Sequence, residues 1–198
     1  MSINDIKSNL FYFAHRGAPW VKDENTISGF NKAISLGCQG IEMDVQKTLD
    51  NHIIIFHDDH IVFKNSKHKI SELTYSTIKY MLNKKNKASP PLFNSIIPII
   101  KQNPKVIFNI EIKSTKIINS VIIRHIKKQL TTNNVIDQCI ISSFNYFLLL
   151  QIKLLFNEPQ TALIMGKKRL IPPKTLRNKL LIQTLNPNYI HANWKYLD

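Results

Sequence analysis

Only two cysteines occur in the 198 residues, Cys38 and Cys139. They stand far apart in no metal-ligand spacing, which argues against a cysteine-built zinc site and a disulfide framework. They read instead as reduced, partly buried thiols of a cytosolic protein. No apolar run approaches the ~20 residues that a spanning helix needs. The opening MSINDIKSNL lacks the charged-then-apolar arrangement of a signal segment. These absences predict a soluble, cytoplasmic protein with no transmembrane segment. Internal repeats and low-complexity tails are also missing. Acidic residues are few, 13 against 27 basic, for a formal net charge of +14. Such an excess suits nucleic acid or an anionic membrane surface. The kind of cation argues against a specific nucleic-acid partner. Only Arg16, Arg124, Arg169 and Arg177 are arginines, whereas a nucleic-acid reader favours Arg forks and exposed aromatics. Abundant Lys, Ile and Asn together read as the bias of an A+T-rich coding sequence. Lys84-Lys85-Asn86-Lys87 and Lys167-Lys168-Arg169 therefore read as solvated loops, and the surplus charge as a weak attractor for anionic phosphodiesters.

What is present concentrates between residues 11 and 59. Phe11 to Ala14 is a short aromatic strand that ends at His15-Arg16-Gly17, where Gly17, Ala18 and Pro19 stop it. Glu24 to Leu36 carries Ile27, Phe30 and Ile34 at helical spacing, with Gly37 as its stop. Gly40 to Gln46 alternates strictly: Ile41, Met43 and Val45 face one way, Glu42, Asp44 and Gln46 the other. Same-face neighbours on a strand lie about 7 Å apart, so two carboxylates can lean onto one cation. Asp50-Asn51 supplies turn chemistry, and Ile53 to Phe56 is a β-rich run ending at His57-Asp58. A hairpin there folds His57 back toward Glu42 and Asp44. Singly, an E-x-D on a strand describes a solvated face and a histidine at a strand end describes a structural one. Two histidines, two carboxylates and an arginine at strand ends in one span suit a different task. They can hold a divalent metal against a phosphate ester and move protons around it.

The order of these pieces resembles the glycerophosphodiester phosphodiesterase family. The resemblance rests on AHRG (Ala14 to Gly17), ENT (Glu24 to Thr26), IEMDVQ (Ile41 to Gln46), Thr48-x-Asp50 and HDD (His57 to Asp59). Further on it rests on SELT (Ser71 to Thr74), NIEIK (Asn109 to Lys113) and ISSF (Ile141 to Phe144). No single triplet is specific; the ordered set, over roughly residues 11 to 194, is. One departure is Asp23, where the family tends to have Pro. An acidic residue is tolerable there before a helix start, even as its capping group.

The remaining chain alternates strands and helices, which predicts a parallel sheet. Residues 60 to 70 read as a polar loop, Ser71 to Leu82 as a short helix, Lys84 to Pro91 as a linker. Leu92 to Ile100 reads as an amphipathic segment that Pro98 bends or ends. Lys105 to Lys113 alternates Phe108, Ile110 and Ile112 against Asn109, Glu111 and Lys113. That pattern fits an edge strand with one wet face or a strand lining a site, and the resemblance selects the second. A helix over 116 to 131, a strand Gln138 to Phe144 and a helix Asn145 to Phe156 follow. Then come a strand Thr161 to Met165, a helix Thr175 to Leu185 and a strand Tyr189 to Trp194. With the hairpin counted in its own unit, barrel strands start near 11, 39, 105, 138, 161 and 189.

The resemblance implies a single domain over 1–198: an α/β TIM-barrel, (β/α)8-like and incomplete, with about six of eight strands. The chain is short for a full barrel of about 250 residues. It shows no Trp-Thr-Val-Asn strand and no final Gly/Asp-containing one. The expectation is a form shortened at its C-terminus, with two open sheet edges that a homodimer would cover. The implied reaction is hydrolysis of a glycerophosphodiester to an alcohol and sn-glycerol 3-phosphate. Glu42, Asp44 and Glu111 would hold one divalent cation. Hard oxygen ligands favour Mg2+ or Ca2+ over Zn2+. Arg16 and Lys113 would bind the phosphate, and His15 and His57 would form the acid/base pair. The alternatives are a catalytically impaired remnant of that enzyme and a basic module for nucleic acid or anionic lipid. Of the other histidines, His52 and His68 are expected exposed, His60 peripheral, and His125 and His191 without a matched partner.

Overall fold

The computed structural model describes residues 11–114, 120–156, 160–166 and 176–192. Strands β1 (Phe13–His15), β2 (Gly40–Lys47), β6 (Ile107–Ile112), β7 (Cys139–Ser143), β8 (Gln160–Met165) and β9 (Tyr189–Ala192) form one parallel sheet in that order. Helices α1 (Ile27–Ser35), α4 (Ser120–Thr132), α5 (Tyr146–Leu155) and α6 (Leu176–Leu185) lie in the crossovers. The six expected barrel strands are therefore present, in chain order.

Alternation decides what each face of the sheet meets. Ile41, Met43 and Val45 of β2, with Phe108, Ile110 and Ile112 of β6, pack into one core with Phe30, Ile122, Ile126 and Leu149 of the helices. On the opposite face Ile107, Ile140 and Ala162 cluster with Phe13 and Tyr189. Side chains of the first and last strands thus meet around one plug, so the sheet curls into part of a barrel. The register places the polar residues of this inner face beyond the plug, toward the C-terminal ends of the strands. His15 lies beside Glu42, Glu42 beside Asn109, Asp44 beside Glu111, and Glu111 beside Ser142. β6 lies between β2 and β7, so the edge-strand alternative for Glu111 is gone. Among the described residues β1 pairs only with β2 and β9 only with β8, leaving two open edges.

A satellite follows β2. Strand β3 (Ile53–Ile55) returns antiparallel along β2 with Val45 opposite Ile55. The stretch 60–70, expected as a loop, is instead a hairpin of β4 (His60–Phe63) and β5 (Ser66–Lys69). Its two-residue turn, Lys64-Asn65, has φ of 48° and 61°, the primed-turn geometry that matches strand twist. The hairpin and α2 (Tyr75–Asn83) bury their own small core of Ile54, Ile61, Ile70, Ile78, Met81 and Leu82. Pro98 neither bends nor ends its helix. A 3-10 turn over Phe93–Ile96 leads into α3 (Ile97–Gln102), where proline occupies the first turn and its missing N–H is harmless. α1 starts at Ile27, so Glu24 stands in the loop before it. Its cap is Thr26 and not Asp23: Thr26 Oγ1 accepts from the Gly29 N–H at 3.1 Å. No helix among the described residues is long and apolar enough to cross a membrane. The expected Asn193-Trp194 end of the last strand, Pro172-Pro173 and the Lys167-Lys168-Arg169 cluster lie outside the described residues.

Candidate active site

The three predicted carboxylates converge. Single oxygens of Glu42, Asp44 and Glu111 lie within 4.8 Å of one another. Glu42 and Asp44 are 7 % and 1 % exposed, so their charges have little water to screen them. Two cations answer them. Arg16 Nε lies 3.3 Å from Asp44 Oδ2, and Arg16 Nη1 donates to Glu24 Oε2 at 3.1 Å. Lys113 Nζ reaches both Asp44 Oδ1 at 3.0 Å and Glu111 Oε1 at 2.8 Å. Lys113 was expected on the phosphate; here its ammonium bridges two of the acids. Arg16 and Lys113 are shared among Asp44, Glu111 and Glu24, so neither cation forms a side-chain ion pair with Glu42. Burial first, then the charges of Asp44 and Glu111, push the Glu42 carboxyl from the ordinary 4.5 up to about 8. The Arg16 N–H, donating to Glu42 Oε2 at 3.0 Å, only partly offsets this. Burial alone would lower Lys113, but Asp44 and Glu111 outweigh it and hold its pKa above the ordinary value.

The donor set fits a hard divalent cation. It is all oxygen, on rigid neighbouring strands. Glu42 Oε1 is buried and makes no hydrogen bond among the described residues. A buried carboxylate oxygen without a donor is a costly state that a cation would relieve.

The histidines flank this cluster. His15 ends β1 with Nε2 3.7 Å from Glu42 Oε2, and most of its ring is exposed. Burial foremost, then the Arg16 charge, lowers its pKa below the usual histidine value. His57 follows Phe56, whose N–H donates to the Asp44 carbonyl at 2.9 Å, so the chain just before His57 is tied to the backbone of a cluster residue. A carboxylate can only accept, so the 2.9 Å contact of His57 Nδ1 with Asp58 Oδ1 puts the proton on Nδ1. In the neutral imidazole that tautomer makes Nε2 the acceptor. Three other histidines have partners outside the three carboxylates. His52 pairs with Asp50, His60 with Asp59, and His125 Nε2 contacts Asn94 Oδ1 at 2.8 Å.

Two amides belong to the site although sequence reasoning gave them no role. Gln46, on the same face as Glu42 and Asp44, donates to the carbonyls of Phe56 and Asp58, both at 2.7 Å. It thus fixes the backbone on either side of His57. Asn25, from the ENT motif, bonds Asp44 twice. For Gln46 the signal was its place in the alternation; for Asn25 it was the motif alone. Between His15 and Asn25 the chain makes a loop whose exposed tip carries Trp20. Gly17 at its base has φ +89°, and a Cβ there would stand 2.9 Å from the Gly29 carbonyl carbon. Glycine is therefore required for the loop to lie against α1.

Known proteins resemble this chain in sequence and fold. A family model described as the glycerophosphoryl diester phosphodiesterase family matches residues 15–189. A glycerophosphodiester phosphodiesterase of Caldanaerobacter subterraneus is 29% identical over 185 residues, 90% of this chain and 75% of that protein. One from Bacillus altitudinis is 28% identical over 141 residues, covering 68% of this chain and 58% of its own length. Among solved structures, an Oleispira antarctica phosphodiesterase in complex with the product sn-glycerol-3-phosphate superposes with a TM-score of 0.76. Its identity is 21%, and the match covers 98% of this chain and 78% of that one. A putative glycerophosphodiester phosphodiesterase from Galdieria sulphuraria gives 0.79 at 17% identity, covering 96% and 79%. The fold is accordingly that of the TIM-barrel phosphodiesterases, with six parallel strands among the described residues.

Proposed function

Because this chain belongs to the glycerophosphoryl diester phosphodiesterase family, and so to the phosphoric diester hydrolases, we propose that its site cleaves glycerophosphodiesters to an alcohol and sn-glycerol 3-phosphate. The observation that supports this reading is the convergence of Glu42, Asp44 and Glu111, with His15 and two cationic side chains against them. The three carboxylates would hold one Mg2+ or Ca2+. When bound, the cation supplies positive charge to a non-bridging phosphoryl oxygen.

The chain's own groups account for the rest. Arg16 and Lys113 bind the remaining phosphoryl charge and stabilise it as it grows in the transition state. Lys113 can serve in this way once its present carboxylate partners have another counter-ion. His57, with Nδ1–H tied to Asp58, takes the proton of the attacking hydroxyl at Nε2. The attacker is water or the neighbouring hydroxyl of the glycerol moiety; in the second case the cyclic phosphodiester that forms as the alcohol leaves is then opened by one water, with the two histidines in exchanged roles. His15 gives a proton to the leaving alkoxide, which is too basic to depart unaided. Overall one water is consumed: the alcohol leaves with a proton and the phosphate retains the hydroxyl.

The test is direct. Purified chain with Mg2+ or Ca2+ should release glycerol 3-phosphate from glycerophosphocholine, and a chelator should stop it. No turnover with either ion would defeat the reading and favour the impaired remnant.

A further inference from the structure

We infer that Asn25 is a positioning residue, which sets the metal affinity of the site by locking the Asp44 carboxylate in one orientation. This rests on the reading of Glu42, Asp44 and Glu111 as a cation site.

Asn25 is 2 % exposed and has φ 55°, a left-handed backbone that Asn tolerates better than most residues. Its Nδ2 donates to Asp44 Oδ2 at 2.8 Å, and its Oδ1 accepts from the Asp44 N–H at 3.2 Å. One amide therefore grips both the backbone and the carboxylate of the same residue. Arg16 Nε stands 3.3 Å from the same Oδ2 as an ion pair, so that oxygen faces the Asn25 amide and the guanidinium. Oδ1 is left on the side of Lys113, whose ammonium also holds Glu111.

The grip is itself clamped. The Asn25 N–H donates to the Arg16 carbonyl at 3.0 Å, closing the loop between them. Arg16 also has a left-handed backbone, φ 58°, uncommon for an arginine. Its own N–H donates to the carbonyl and to Oε2 of Glu42. Two residues in sparsely populated conformations thus stand back to back, each bonded to one metal carboxylate. Strain of this kind persists where surrounding contacts over-determine it, and it gathers at functional sites. Partners that orient ligating carboxylates typically change metal affinity by about 10–100-fold when removed.

Three variants separate positioning from general support, each titrated with Ca2+ and Mg2+ by calorimetry and melted without cation. Asn25→Gly removes the whole side chain and suits the positive φ. Asn25→Ala removes the same amide but keeps a Cβ where φ is positive, so it should melt lower than the Gly variant. Thr26→Ala removes the cap of α1 next door without touching Asp44. Positioning predicts that both Asn25 variants lose about 10-fold or more in cation affinity, by equal factors despite different melting temperatures. Thr26→Ala should lower the melting temperature and leave cation affinity within about 2-fold. Wild-type affinity in Asn25→Gly, or affinity that tracks melting temperature across all three, would overturn the inference. Failure of the wild-type chain to bind either cation would remove the metal reading as well, an outcome plainly different from equal binding by wild type and Asn25→Gly.

Discussion

His15→Ala should slow release of a simple alkyl alcohol by about 10²–10⁴-fold, yet act far more weakly on the p-nitrophenyl ester of glycerol 3-phosphate. The contrast follows from what each histidine is asked to do. An alkoxide needs a proton to leave and p-nitrophenolate does not, so losing the general acid matters only for the first substrate. His57→Ala removes the base and should slow both esters by a comparable factor. The geometry behind the assignment is the Asp58 carboxylate on His57 Nδ1, which leaves Nε2 as the acceptor. His15 has no such orienting contact among the hydrogen bonds described; its ring approaches Glu42 at 3.7 Å and is open to solvent. Paired rate measurements on the two esters check this. If His57→Ala is the variant rescued by the better leaving group, the roles are reversed. If neither loses activity on the alkyl ester, the histidines are not the proton carriers.

Glu42→Gln should abolish function and stabilise the cation-free protein. Loss of one of three ligands should weaken Ca2+ or Mg2+ binding by more than about 100-fold. Stability moves the other way because of the sign of the linkage. The Glu42 carboxyl is raised from 4.5 to about 8 in the folded chain, burial being the first cause. A group raised on folding contributes its full stability below its unfolded pKa and loses it as pH rises through the folded value. The wild-type chain without cation should therefore weaken between about pH 5 and pH 8 relative to Glu42→Gln, whose amide does not titrate. Near pH 8 the variant should melt several degrees higher, since about 1 kcal/mol corresponds to roughly 2–4 °C in a chain of this size. Saturating cation should close the gap by binding wild type alone. Melting curves across this range, with and without Ca2+, give the answer. A variant that melts lower than wild type at every pH would show that Glu42 supports the fold and is not a strained ligand.

The same residues show which parts of the molecule could be read from sequence. β2 was legible because its strict alternation separates Ile41, Met43 and Val45 from Glu42, Asp44 and Gln46 without ambiguity, and the core accepts the first three as a set. β6 was ambiguous by pattern alone. One polar face fits an edge or an interior lining, and only its pairing on both sides decides. The β4–β5 hairpin was missed because its turn uses Lys64 and Asn65 at positive φ where Gly would normally advertise it. β5 also carries the exposed Lys67 and Lys69, which reads as loop. Pro98 was misread because proline marks a helix start as well as a break, and the 3-10 turn before it leaves no sequence trace. The Glu24 position failed on a boundary: the helical spacing begins three residues after the acid that pairs with Arg16. Asn25 could not be found by any periodicity. Its partner lies 19 residues on, across helix α1 and inside β2, and the contact exists only once β1 and β2 are paired. Lys113 was placed on the correct face, but which anion it meets depends on the charge balance around it. In this balance the carboxylates claim it.

That last point supplies the most direct test of the central claim. A crystal structure of the chain with Ca2+ and sn-glycerol 3-phosphate should show one ion at about 2.3–2.6 Å from Glu42, Asp44 and Glu111. Lys113 Nζ should then have left Asp44 and Glu111 for a phosphate oxygen. An ion bound elsewhere, or Lys113 still bridging the two acids with phosphate present, would contradict the account.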